Sequence, residues 1–124
     1  MQFLLLVYTD AELIGHLPPA QYDEHMRHCL AKADALKSEG RVLDFQQLEP
    51  PQAARSVRVR AGKSSVLDGP FTETKEMLAG FNLVEAESME EAVRMAQELP
   101  WANYGCIEVR PVRDIAGVRT KVGA

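Results

Sequence analysis

The chain has 124 residues, 46% hydrophobic and 26% charged, which fits one domain spanning residues 1–124 and leaves no room for a second core. A formal net charge of −4 gives no general attraction for nucleic acid, so no direct nucleic-acid binding is expected. The two cysteines, Cys29 and Cys106, form no CxxC pair, which excludes a zinc ribbon or a paired redox motif and suits free thiols in a reducing cytoplasm.

Phe3 to Tyr8 is apolar at both parities, the pattern of a strand covered on both faces. It reaches Asp10 too soon for a membrane span and carries no basic leader, so a cytoplasmic location is expected. Residues 9–17 read as a loop. A helix starts at Pro18-Pro19, where a fixed φ suits the first turn. Tyr22, Met26, Cys29, Leu30, Ala33 and Leu36 then recur at three- and four-residue steps, and Gly40 stops the helix.

Residues 41–48 predict a second strand, closed by Pro50-Pro51. Residues 56–60 alternate strictly, and Gly62-Lys63 turns them into residues 64–67, a hairpin. Residues 68–76 form a polar turn, and residues 78–85 a further strand. Ser88 and Glu91 make a capping box for a second helix with a stripe of Met89, Ala92, Val93 and Ala96, closed by Pro100. The last strand is 106–112, followed by a polar tail.

Strand, helix, strand, inserted hairpin, strand, helix, strand is an α+β order of the ferredoxin-like βαββαβ type. Two helices cover one face of such a sheet, yet the first strand and Leu78, Phe81, Leu83 and Val84 offer apolar groups to both. An uncovered apolar sheet face is an unusually large patch for a monomer, so face-to-face pairing into a homodimer is expected.

The most distinctive stretch is Asp68-Gly69-Pro70-Phe71-Thr72-Glu73-Thr74-Lys75-Glu76. Asp-Gly-Pro is strong turn chemistry, in which the carboxylate accepts nearby N–H groups and Gly tolerates positive φ, while Phe71 anchors the turn into the core. The segment reads either as a rigid connection or as a site in which Asp68, Glu73, Lys75 and Glu76 surround a pocket. In the second case, opposed carboxylates and a lysine shift one another towards acid–base work near neutrality.

This segment resembles the YCII-related superfamily, in the branch named for its DGPF motif. The likeness extends through the opening Phe3–Asp10 strand, Leu48-Glu49-Pro50-Pro51, Val57–Arg60, Ala79-Gly80-Phe81 and Tyr104–Val112. It implies a dimeric ferredoxin-like α+β barrel. Some members of the wider superfamily carry a histidine in the first helix and an aspartate before the proline that follows the second, and one relative is a dehydrochlorinase acting on a chlorinated muconate. By position the aspartate falls on Leu99 and the histidine near Cys29, beside His28, so that pair is not intact. The branch's association with sigma factors of the extracytoplasmic-function type implies regulation as an alternative role.

His25 and His28 lie three apart on the first helix with Glu24 nearby, but local spacing supplies no third ligand, so no metal site is expected. His28, beside the stripe that holds Cys29, is a candidate acid or base. Arg55, Arg58, Arg60 and Lys63 form a basic run that either protects an outer strand from aggregation or binds an anion. No aromatic residues interleave with it for RNA stacking. Tyr104, Trp101 and Arg110 near the last strand are either packing or pocket residues.

Two functions stay open. The first is a small-molecule enzyme of lyase, isomerase or dehalogenase type with a polar pocket near the 68–76 turn. Asp68, Glu73 or His28 would move the proton there, and Lys75, Glu76, Arg110 and Phe71 would hold a small anionic ligand. The second is a non-catalytic regulatory module that binds a partner. No cofactor motif, whether GxGxxG or P-loop, is present.

Overall fold

The computed structural model describes residues 1–124. Four strands form one antiparallel sheet: β1 (Gln2–Asp10), β2 (Val42–Gln47), β5 (Glu76–Glu85) and β6 (Gly105–Pro111), in the order β2-β5-β1-β6. The intervening β3 (Arg55–Arg60) and β4 (Lys63–Asp68) pair only with each other. With that hairpin set aside, the sheet has the ferredoxin-like order that the alternation of elements predicts.

Helices α2 (Pro19–Ser38) and α3 (Met89–Gln97) cover one face of the sheet, α2 over β2 and α3 over β1 and β6. In β1 the odd residues Phe3, Leu5 and Val7 are buried, whereas Leu4, Leu6 and Tyr8 are half-buried. The buried set meets Val42, Val84, Cys29, Ala92, Met95, Ala96, Leu99 and Trp101 in one continuous core. On the other side, register places Leu4 beside Leu83 and Leu6 beside Phe81, and no helix packs over them. The two parities of β1 therefore mark a helix-covered face and an open face.

Local chemistry explains the ends. Gly40, at φ +76°, closes α2 with the paired bonds of a Schellman motif, Gly40 N–H to the Lys37 carbonyl and Arg41 N–H to Leu36 at 2.8 Å. The start of α3 is capped in a variant of the expected box: the Ser88 hydroxyl accepts from Glu91 N–H at 3.2 Å, but the Glu91 carboxylate reaches one residue further back, accepting from Glu87 N–H at 3.3 Å rather than from Ser88 N–H.

Five expectations need correction. Val93 of the α3 stripe is exposed, and Met95 is buried in its stead. Residues 9–17 are not all loop, because the Asp10 carboxylate caps a short helix, α1 (Ala11–Gly15). The polar tail holds α4 (Ile115–Val122), capped by Asp114 and closed by Gly123 in the left-handed region. Leu30 points out of the α2 stripe and is exposed. Phe71 does not anchor its turn in the core: it is 71% exposed, since the turn it follows sits at the root of the detached hairpin.

Candidate functional site

Between α2 and the covered face of the sheet lies a cavity of about 150 Å³. Val7, Thr9 and Gly80 form its floor, Tyr22, Met26 and Cys29 of α2 its roof, and Phe45, Gln47, Leu99 and Trp101 its walls. No lining side chain carries a formal charge. Gly80 is obligatory there, because a Cβ would stand 2.6 Å from the Gln46 carbonyl oxygen of the neighbouring strand. The missing side chain keeps the floor open while β2 and β5 stay in contact.

Leu99 and Cys29 meet in this cavity although 70 residues of sequence separate them. Pro100–Tyr104 forms a 3₁₀ turn that buries Trp101 against the helix. Tyr22 packs on Trp101 with ring centroids 5.5 Å apart, and His25 meets Trp101 edge-on at 6.2 Å. Behind this pair, His25 Nε2 and the Tyr104 hydroxyl share a 3.0 Å hydrogen bond. Burial pushes the Cys29 thiol above its ordinary range, while a hydrogen bond with Trp101 acts in the opposite direction. At neutral pH the cavity therefore holds a neutral thiol.

A wider cleft of about 700 Å³ shares Thr9, Ile14, Tyr22, Leu48 and Ala79 with the cavity and so forms its vestibule. Pro70, Glu73, Thr74 and Lys75 line one side, and Glu49, Pro50 and Pro51 the other. Lys75 Nζ stands 3.6 Å from the Asp10 carboxylate, whose second oxygen accepts from Glu12 and Leu13 N–H. An apolar chamber thus opens through a charged mouth.

The candidate residues from the sequence divide accordingly. Glu73 and Lys75 come together at the mouth, and Glu76 lies beside Lys75 and Asp10 in an adjoining groove with Tyr8 and Cys106. Asp68 is elsewhere: its side chain is 93% exposed, and its carboxylate faces Arg55 across the hairpin at 3.5 Å. It does not share a pocket with Glu73. His28 is exposed on α2 outside the cavity, Phe71 overhangs a separate groove, and Arg110 pairs with Glu108 on the open face.

Sequence reasoning passed over Asp10, weighed His25 only as a metal ligand, and named Cys29 and Leu99 only as the positions of a missing pair rather than as the lining of one chamber. Two signals were available. His25 is three residues after Tyr22 and four before Cys29, hence on the buried stripe rather than beside it. Asp10 directly precedes a short amphipathic run, the position of an N-cap.

Comparison with known proteins agrees with this architecture. A Rhizobium meliloti protein of uncharacterised function is 35% identical over 114 residues, covering 90% of this chain and 92% of the relative. Among solved structures, 5-chloro-2-hydroxyhydroquinone dehydrochlorinase from Burkholderia phenoliruptrix AC1100, in complex with 2,5-dihydroxybenzoquinone, superposes with a TM-score of 0.51. The match covers 91% of this chain and 94% of that one at 19% identity, which is a likeness of fold. No helix is long and apolar enough to cross a membrane. Residues 1–116 match the YCII-related domain, and the chain belongs to that family.

Proposed function

We propose that this protein binds a small single-ring aromatic or quinone-type molecule. The ring sits in the cavity under α2, and a polar or anionic substituent points to the vestibule and Lys75. The observation that carries this is the chamber itself. A volume of about 150 Å³, apolar and walled by Trp101, Tyr22 and Phe45, is that of an engineered cavity that accepts a benzene ring. Thr9, Gln47 and the Tyr22 hydroxyl supply the few polar contacts that fix orientation in such sites. The dehydrochlorinase that shares the fold is a protein complexed with a six-membered quinone, a ligand of matching size.

Binding without turnover is the form of this reading that the residues favour. Leu99 stands where the resemblance places an acid, and Cys29, near which it places a histidine, holds a neutral thiol, so the side chains that line the chamber include no group poised to transfer protons near neutrality. Lys75 and Glu73 are the charged residues best placed to select the substituent. Asp68, His28, Glu76, Arg110 and Phe71 stand outside the chamber and take no direct part. The regulatory alternative gains no support from the chamber or from the relatives. The reading includes a homodimer formed through the open face, because Leu4, Leu6, Phe81 and Leu83 form an apolar band that a second sheet would bury.

Trp101 is the sole tryptophan, so its fluorescence reports occupancy. Titration with catechol, hydroquinone and 4-hydroxybenzoate is expected to give a saturable change with one ring per chain. Cys29→Leu, which fills the chamber, abolishes it in a protein that still melts cooperatively. Lys75→Gln weakens 4-hydroxybenzoate and spares hydroquinone. A featureless titration with all three probes refutes the proposal.

A further inference from the structure

The hairpin of β3 and β4 has no visible means of support. Its strands are joined to each other and to no other strand, and none of its residues from Arg55 to Asp68 is buried. A two-stranded hairpin alone is marginal in water. Yet this one presents Val57 directly opposite Val66, with Val59 on the same face, at 64%, 57% and 58% exposure. Such a stripe on a projecting arm resembles an interface element awaiting its surface rather than a solvated turn.

Charge indicates what that surface is. From Arg55 to Asp68 the arm carries Arg55, Arg58, Arg60 and Lys63 against Asp68 alone, three net positive charges. Since the whole chain has a net charge of −4, the remainder carries seven net negative charges. The arm is thus complementary to the body of its own kind of molecule. Its attachment points the same way. The root of the arm, Ser56, Pro70 and Phe71, lines one groove with Tyr8 and Leu78, so that whatever seats on the open face also meets the arm. The root is fixed by Gly69 N–H bonded to the Ala54 carbonyl at 2.7 Å and by the Ser56 hydroxyl bonded to the Gly69 carbonyl at 2.9 Å. Here Asp68, Gly69 and Pro70 aim the arm.

We infer that the β3–β4 arm is a clasp for a second copy of this chain: its valine stripe packs on the partner's body, while Arg58, Arg60 and Lys63, which strand alternation sets on the arm's other face, make the arm basic and draw it to the acidic partner by longer-range attraction. The inference rests on the dimer reading given under the proposed function and adds the element that locks the dimer. Each copy offers one arm and receives one, as a two-fold interface requires.

The test is sedimentation equilibrium of the full chain over a range of concentrations, at about 50 mM and about 500 mM salt. The wild type is expected to dimerise, more weakly at high salt. Val57→Ser, Val59→Ser and Val66→Ser together raise the dissociation constant by roughly tenfold or more, because the buried stripe is lost. Arg58→Gln with Arg60→Gln weakens the dimer at low salt and flattens the salt dependence. Circular dichroism of each variant confirms that the body is folded. A wild-type dimer whose dissociation constant is unmoved by both sets of substitutions overturns the clasp and leaves the open-face dimer standing. A wild type that sediments as a monomer throughout overturns both.

Discussion

Asp10 and Lys75 form a 3.6 Å ion pair whose halves live in different surroundings: the Asp10 side chain is 6% exposed, while that of Lys75 is 75% exposed. The carboxylate also caps α1 through Glu12 N–H at 2.9 Å and Leu13 N–H at 3.4 Å. It therefore serves as the fixed post of strand β1, and Lys75 is the movable charge tethered to it above the vestibule. Asp10→Ala removes the cap and is expected to cost about 1–2 kcal/mol in urea denaturation. Asp10→Asn retains an acceptor and costs less, but it releases Lys75, so affinity for a carboxylate-bearing ring falls more than stability does. Equal effects of the two substitutions on stability would contradict the capping role.

The two thiols are expected to differ in reactivity. Cys106 is exposed on β6 and Cys29 is buried under Trp101. A disulfide reagent at neutral pH should modify one thiol quickly and the second only as α2 opens. Occupancy of the chamber by a ring slows the second phase and leaves the first unchanged.

Cys29 also gives stability a pH dependence with a definite sign. Its thiol is raised above the ordinary value of 9.0, so the folded chain holds this proton more firmly than the unfolded chain. The contribution is present in full below pH 9.0, the unfolded value, and is lost as pH rises through the folded one. Comparing urea midpoints of the wild type and Cys29→Ala between neutral and strongly alkaline pH isolates it, with the wild type falling more steeply. Parallel profiles would show that the thiol does not titrate against the fold.

Much of this fold is legible in the chain because short-range rules govern it. The double parity of β1, the Ser88–Glu91 box and the Gly40 stop each depend on neighbours within a few residues, and each element forms where those rules place it. The chamber is different. Cys29, Leu99 and Gly80 belong to three elements, and nothing in the spacing of any one says that they converge. Asp68 shows the opposite failure: its motif is conspicuous, but the strand pairing of Arg55 with Asp68 carries it to the base of an exposed arm. Phe71 follows it there for the same reason.

His25 and Tyr104 are expected to act as one unit. Tyr104→Phe removes the hydroxyl from a 3.0 Å bond and leaves a partly buried imidazole nitrogen without its partner, a loss of about 1 kcal/mol. Both rings lie within 6.4 Å of the Trp101 ring, so the emission spectrum shifts as well. A double-mutant cycle with His25→Phe should return a coupling energy clear of zero.

Ser88 provides a control remote from the chamber. Ser88→Ala is expected to cost about 1 kcal/mol, whereas Ser88→Asp, which keeps an acceptor at the helix start, is close to neutral. Neither should alter the response of Trp101 to a ring. A change in binding with Ser88→Ala would mean that α3 shapes the chamber through Leu99.

Gly80 limits how this protein can diversify. At that point of the chamber floor any larger residue would drive into the backbone of β2, so the pairing of two strands fixes the glycine. New ligand preferences within this scaffold arise most freely overhead, by exchange of Tyr22, Met26 and Cys29 on α2 or of Leu99 and Trp101 beside the 3₁₀ turn. A lineage that keeps the glycine and varies those five positions would be trying different lids on one fixed dish.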